Sequence, residues 1–221
     1  MKTVQIAIDG PAGAGKSTIA KHVANTFNFV YIDTGAMYRA ITLKAMRLNQ
    51  DLSDPRAFEF IDSTTFEYRN DALFMDDEDV SEIIRSRDIS NQVSLVSSHL
   101  TVREKTVKRQ QALAKNINVV MDGRDIGTNV LVDADYKFFL TASVKTRARR
   151  RYKENLERGI QSSLDDLQQE IETRDRLDSS RKHSPLKASE DATIIDSSEM
   201  SIDDVVKTIM RIVREDEKHG F

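Results

Sequence analysis

Two hydrophobic rhythms alternate along this chain, and each change of rhythm marks an element. VQIAI (4–8) is a continuous apolar run ended by Asp9-Gly10, the pattern of a strand buried on both faces. From Lys16 onward Ile19, Ala20, Val23, Ala24 and Phe27 recur at helical spacing. FVYID (29–33) predicts a second strand, and 36–49 a helix with Met37, Ala40, Ile41, Ala45 and Leu48 on one face. A β-loop-α-β-α start predicts a parallel sheet with helical crossovers.

The middle of the chain changes period. In 65–80 Phe66, Tyr68, Leu73 and Met75 alternate around Asn70-Asp71, which predicts a β-hairpin outside the main sheet. Residues 91–116 read as helical. Short apolar runs return at NVVMD (118–122), YKFFLTA (136–142) and ATIID (192–196), giving five core strands in all. A very basic helix spans 144–159 and stops at Gly159. A second helix follows from Ser163, where Ser163 and Asp166 have capping-box spacing. The closing helix starts at Ser201 and turns Ile202, Val205, Ile209 and Ile212 inward. The expected organisation is one domain over 1–221, with an insertion near 62–92 and a helical hairpin over 144–181.

Length and composition narrow the classes. A chain of 221 residues suits one α/β domain with a small insertion. Lys plus Arg number 33 against 36 Asp plus Glu, and the resulting net charge of -3 gives no support to general nucleic-acid or anionic-membrane binding. The absence of cysteine excludes disulfides, cysteine-ligated zinc and iron–sulfur clusters. Asp9 and the loop after it cut the first apolar run too short for a signal peptide, and no run approaches the ~18 residues of a membrane span. A soluble cytoplasmic protein is expected, and a monomer. The histidines at 22, 99, 183 and 219 lack metal-ligand spacing and receive no role.

The strongest local signal is DGPAGAGKST (9–18), in which residues 10–17 fit G-x-x-x-x-G-K-[ST] at every fixed position. Glycines let the backbone curl until successive N–H groups face one phosphate, and the next helix adds its positive N-terminal end. Gly10, Pro11, Ala12, Gly13, Ala14, Gly15, Lys16, Ser17 and Thr18 are therefore the candidate ATP site. Lys16 supplies a mobile charge for the β- and γ-phosphates, and the Ser17 hydroxyl a ligand for Mg²⁺. The motif alone fits small-molecule kinases, switches and motors alike. No N-K-x-D base-reading motif is present, and 221 residues leave little room for motor machinery.

Three further stretches sit where a parallel sheet brings them near that loop: DTGAMYR (33–39), DGRDIGT (122–128) and R-D-x-x-D-x-x-R (174–181). The last places Arg174, Asp178 and Arg181 on one helical face. Together with VSxVxxxxxVR (93–103), these motifs resemble the bacterial cytidylate kinases over nearly the whole chain, from Ile6 to the final helix and including the hairpin insertion. The resemblance implies an α/β fold with a P-loop NTPase-type parallel five-stranded sheet flanked by helices, a small β-containing insertion and a helical lid. It implies transfer of the γ-phosphoryl of ATP to CMP or dCMP, with Mg²⁺. By similarity Thr34 and Arg39 hold the acceptor, Arg39 on its phosphate, while Ser94, Arg103 and Asp125 bond the cytosine edge. Arg124 lies against the acceptor phosphate, Asp178 reaches the ribose, and Arg174 and Arg181 bracket the phosphates; Lys16, Arg124, Arg174 and Arg181 are the catalytic set. Thr34 stands where the family often has Ser, and the hydroxyl is kept.

The chemistry of the residue types agrees. Phosphoryl transfer needs alignment and positive charge on the equatorial oxygens, and arginine supplies planar, bidentate contacts to phosphate. A carboxylate at Asp125 accepts from cytosine N4, where uracil presents an acceptor. Other readings exist residue by residue. Asp33 and Asp122, candidates for indirect contact with Mg²⁺, also suit helix and strand-end caps. Arg174, Asp178 and Arg181 alone suit a solvated charge ladder. Arg147, Arg149, Arg150 and Arg151 form a basic helix of the kind that contacts RNA, but only Tyr152 offers stacking; a lid whose arginines face ATP is the preferred reading, with Arg150 foremost. A small-metabolite kinase, such as a shikimate or dephospho-coenzyme A kinase, and an ATP-dependent RNA-binding module are the alternatives.

Overall fold

In the computed structural model, which describes residues 3–69, 71–157 and 159–220, the elements in chain order are β1 (Gln5–Asp9), α1 (Lys16–Phe27), β2 (Val30–Asp33), α2 (Thr34–Arg47), β3 (Phe66–Arg69), β4 (Ala72–Met75), β5 (Glu78–Asp79), α3 (Arg87–Val96), α4 (Leu100–Leu113), β6 (Val119–Gly123), β7 (Tyr136–Thr141), α5 (Val144–Glu157), α6 (Leu164–Ser179), β8 (Thr193–Asp196) and α7 (Ile202–Gly220). They form two compact units, one of the residues up to Tyr31 and from Ile117 onward, the other Ile32–Asn116.

The parallel five-stranded sheet has the order β2-β6-β1-β7-β8, and β2 is the strand on which the chain leaves the first unit. β1 runs parallel to both β6 and β7, with Asp9 in register with Gly123 on one side and Phe139 on the other. Central parallel strands are covered on both faces, so they read as unbroken apolar runs. Ile6, Ala7 and Ile8 in β1 and Val119, Val120 and Met121 in β6 are accordingly all fully buried. The edge strand β8 alternates instead, with Ile195 buried and Ile194 exposed. After β1 the chain runs to the edge strand β2, returns at β6 beside β1 and then crosses to β7 on the other side of β1, so the crevice beyond the carboxyl ends of β1, β6 and β7 is where ligands of such sheets bind.

Ile19, Ala20, Val23 and Ala24 of α1 pack with Val205, Val206, Ile209 and Val213 of α7. The inward stripe of α7 differs from the expected one at its start: Ile202 is exposed, because it lies in the first turn before the helix meets the core. At Ser163 the structure shows one half of the expected box, the hydroxyl accepting from Asp166 N at 3.4 Å. A second is reciprocal: Ser201 Oγ accepts from Asp204 N, and Ser201 N donates to Asp204 Oδ2.

The second unit forms around α2, whose Met37, Ala40, Ile41 and Ala45 are fully buried. Leu48 falls just past the helix end and stays exposed. The expected hairpin is β3 and β4, antiparallel with Phe66 opposite Met75 and Tyr68 opposite Leu73. A third short strand, β5, extends it; the period-2 signal was too brief there to register. Asn70, at the expected turn, and Arg158, near the expected end of the basic helix, lie outside the described residues. The helical stretch 91–116 is two helices, α3 and α4, parted at Ser97–His99, where Ser97 N and His99 N bond back to Val93 O and Val96 O.

Candidate active site

The site is built first on the turn that leaves β1. Gly10 has φ +148°, and a Cβ there would lie 2.0 Å from the Leu140 carbonyl oxygen, so only glycine passes this point. Gly15 caps α1 at φ +90°, aiming the helix's first N–H groups into the loop. Lys16 folds back, its Nζ donating to Pro11 O at 2.8 Å, and is almost wholly buried. Burial and the nearby Arg124 push its ammonium down to about 7, against the opposing pull of Asp122; Arg174 adds to the depression. A buried lysine held beside arginines is short of negative charge, which phosphate supplies.

Ser17 Oγ donates to Asp122 Oδ2 at 3.0 Å, and Tyr31 donates its phenolic hydrogen to Asp122 Oδ1 at 2.7 Å. Asp122 is thereby oriented from both sides at the end of β6. Ser17 is exposed while Asp122 is buried, a hydroxyl in reach of solvent backed by a carboxylate. Such a donor pair suits Mg²⁺, which keeps most of its waters and takes few protein ligands. Among the described residues no three acidic or histidine side chains gather as a closed metal cage.

Beyond β6 the chain turns through Arg124 and Asp125 into a short, wide helical segment, Ile126–Val130. Asp9, at the end of β1, accepts from Ile126 N and Gly127 N, both at 2.8 Å. Burial pushes the Asp9 carboxyl up to about 6, although the two N–H donors pull it down. Arg124 Nε donates to Asp178 Oδ2 at 2.9 Å, and Arg181 pairs with the other oxygen of the same carboxylate. Asp178 is 1% exposed. Burial works to raise its pKa, but Arg124, Arg181 and Arg174 prevail and hold it below the usual carboxylate range. Arg181 lies beyond the C-cap Ser180, so the three residues meet through the last turn of α6 and the step after it, rather than along one unbroken helix. The first unit thus gathers Lys16, Arg124, Arg174 and Arg181 around two acids, Asp122 and Asp178.

The arginines of α5 divide. Arg147 is buried: its Nε donates to Ala142 O, Nη1 to Ala12 O in the phosphate loop, and both terminal nitrogens to Asp175 at 3.0 and 2.5 Å. Arg150 donates to Ala14 O in the same loop and to Ser197 O at 2.6 Å. Arg149 and Arg151 are exposed. Two of the four therefore grip the loop.

In the second unit Asp33 caps α2, its Oδ1 accepting from Ala36 N at 2.9 Å. Thr34 follows, buried in the first turn. Arg39 donates to Ser90 Oγ at 2.7 Å and to Ile84 O. Arg103 is buried, donates to Ser97 O at 3.2 Å and lies over the Tyr38 ring, 5.3 Å from its centroid. Ser94 lies one turn along α3 from Ser90 and is half-buried. This unit holds two arginines and two hydroxyls of the expected acceptor set; Arg124, Asp125, Arg174, Asp178 and Arg181 belong to the first unit.

Several participants escaped the sequence reading: Asp9, Tyr31, Asp175, Ser197 and Asn129, whose amide donates to Asp125 Oδ2 at 3.2 Å and to Ser184 Oγ at 3.1 Å. Asp9 had a visible signal, an acid at the strand end that the phosphate motif itself does not require. Asp175 stood beside Arg174 in the quoted motif. Tyr31 and Ser197 act across long sequence separations and left none, and neither did Asn129, four residues beyond Asp125.

Comparison with known proteins agrees with this geometry. The family model described as cytidylate kinase matches residues 6–215. The chain is 50% identical over 219 residues to the cytidylate kinase of Bacillus cytotoxicus, covering 97% of each chain. It is 51% identical over 217 residues to that of Geobacillus sp., covering 96% of this chain and 97% of the other. Among solved structures, shikimate kinase from Bacteroides thetaiotaomicron has a TM-score of 0.51 at 17% identity, covering 96% of this chain and 98% of that one, a likeness of fold. With its phosphate loop, its arginine-flanked Asp178 and its 33–39, 93–103 and 122–128 segments in place, the chain belongs to the cytidylate kinase family.

Proposed function

We propose that the chain transfers the γ-phosphoryl group of ATP to CMP or dCMP, giving ADP and CDP or dCDP. The observation that carries this reading is the charge arrangement in the first unit: a buried, depressed Lys16 beside Arg124 and Arg174, with Arg124 and Arg181 on Asp178. In the transfer the bond between the γ-phosphorus and the β–γ bridging oxygen breaks, and a bond forms to a phosphate oxygen of CMP. The departing ADP takes the electron pair. The residues from Gly10 to Thr18 hold ATP, with backbone N–H groups and the α1 N-terminus facing its phosphates. Lys16 spans the β- and γ-phosphates, and Arg150, already at Ala14 O and Ser197 O, borders the same nucleotide.

By the family resemblance, Thr34, Arg39, Ser94, Arg103, Arg124, Asp125, Arg174, Asp178 and Arg181 take the acceptor. Arg39, Arg124, Arg174 and Arg181 face its phosphate, Asp178 its ribose, and Ser94, Arg103 and Asp125 its base. Asp125 accepts from cytosine N4, and a uracil would set its own acceptor against the carboxylate. Ser17 would hold Mg²⁺, with Asp122 and Asp33 in indirect contact. When bound, the ion screens charge on the phosphates and fixes their geometry. The insertion near 62–92 extends the acceptor side, and the hairpin over 144–181 acts as a lid that keeps water from the reacting phosphate. Neither nucleic acid nor membrane is a partner in this reading, which places a monomer in the cytoplasm.

The test is ADP formation with CMP, dCMP, UMP, AMP and shikimate as acceptors. Turnover with CMP or dCMP about 100-fold above the others is expected, and turnover with CMP no greater than with water overturns the proposal.

A further inference from the structure

Asp9 is not part of the phosphate motif, yet it is among the most firmly placed acids in the first unit. Its strand is bonded on both sides, in register with Gly123 of β6 and Phe139 of β7. The next residue is fixed by the close approach of Gly10 to Leu140 O. From this rigid position the carboxylate, 4% exposed, accepts from both Ile126 N and Gly127 N at 2.8 Å. These are the first two N–H groups of the segment Ile126–Val130, donors that a helix start leaves without partners of its own. Asp9 therefore caps that segment from a different strand. No side chain within the segment does so: the preceding residue, Asp125, bonds its own carbonyl to Asn129 N and Val130 N and makes no side-chain cap.

We infer that Asp9 is a positioning residue that ties the ATP loop to the acceptor-reading turn, setting Asp125 by holding the two peptide groups that follow it. Asp125 has φ -147° and ψ 31°, and its position depends on where Ile126 begins. Arg124, on the other side, has its own tether to Asp178. Displacing the 126–127 peptides thus moves Asp125 more than Arg124, and it moves the acceptor contacts more than the loop that holds ATP. This inference rests on the role proposed above for Asp125 in reading cytosine.

Asp9→Asn tests it by setting an NH2 group against one of the two N–H donors. The expected result is a KM for CMP raised about 10-fold, a KM for ATP within twofold of the parent, and a CMP-to-UMP preference reduced about 10-fold. A KM for ATP raised as much as that for CMP overturns the inference, since Asp9 would then serve the ATP loop alone. Asp9→Glu keeps the charge but shifts the carboxylate by one methylene. A rise in the KM for CMP there supports a positional role; parent-like kinetics would show that charge alone matters and would overturn it, and this arm decides the question if Asp9→Asn does not fold. Asp125→Ala separates the two readings. If it leaves base preference unchanged, the base-reading role fails, and the Asp9 inference then stands or falls on the KM split alone. If it does reduce preference, the Asp9→Asn/Asp125→Ala pair should lose no more than the single change, because both act through one carboxylate.

Discussion

Two appendages carry the chain away from its main sheet, and they are held by different physics. The antiparallel sheet β3–β5 shares a continuous apolar core with α2: Phe66, Leu73, Met75 and Val80 pack in one cluster with Met37, Ile41 and Phe58. The hairpin α5–α6 has a small core, Ala148, Leu167 and Ile171, with Val144 and Tyr152 against it. The Arg147–Asp175 pair joins its two helices, and its attachments beyond itself are polar: the bonds of Arg147 and Arg150 to the loop carbonyls of Ala12 and Ala14, and the Arg124–Asp178 pair. An element seated by dispersion over a broad face opens only at high cost, whereas one seated by a few polar contacts opens locally at much lower cost. The two therefore differ in their resistance to local opening. The polar attachment also makes the hairpin's seating part of the ATP loop.

The contrast can be broken at several points. The largest effect is expected from Leu73→Ala, which removes a side chain 2% exposed from the shared core and should destabilise the second unit by about 3 kcal/mol, read by denaturant unfolding. Next comes Arg147→Ala. It should lower kcat about 30-fold, or ~2 kcal/mol, by unseating the hairpin and loosening the loop at Ala12. A loss seen only in melting temperature, with kcat intact, would show the pair to be merely structural. Arg47→Ala, which breaks the exposed bidentate contact to Glu78 on β5, should cost at most about 0.5 kcal/mol, because water and salt already screen such pairs. If it costs as much as Leu73→Ala, the β3–β5 sheet is held by charge after all.

A smaller signal comes from the loop that Arg147 grips. In the free chain Lys16 titrates near 7, below the ordinary lysine value, so above pH 7 it is increasingly neutral. ATP phosphates favour its charged form. Binding therefore takes up protons at pH 8–9, up to about one per ATP, and little below pH 6, where Lys16 is already protonated. Calorimetry in buffers of different ionisation enthalpy measures this directly.

Legibility in the sequence followed the range of each interaction. The phosphate loop was readable because its work is done by contiguous backbone, and Gly10, Gly15, Lys16 and Ser17 declare it. The central strands were readable because burial on both faces leaves an unbroken apolar run. β5 was not, being two residues long, and neither was the break between α3 and α4, since 91–116 keeps a helical pattern across it. Within the site, Arg39 and Arg103 were named through motif resemblance, but their seats on Ser90, Ser97 and Tyr38 depend on how α2, α3 and α4 pack. Arg147 shows the limit most clearly. Its neighbours Arg149 and Arg151 have the same charge on the same helix, and only the fold decides that Arg147 turns inward to Asp175 while they face solvent.

The most direct measurement follows phosphorus itself: ³¹P magnetic resonance of ATP, CMP and Mg²⁺ with catalytic amounts of the chain. The account predicts ADP and CDP signals growing in equal amounts, with inorganic phosphate at trace level. ADP accompanied by inorganic phosphate and no CDP would contradict it.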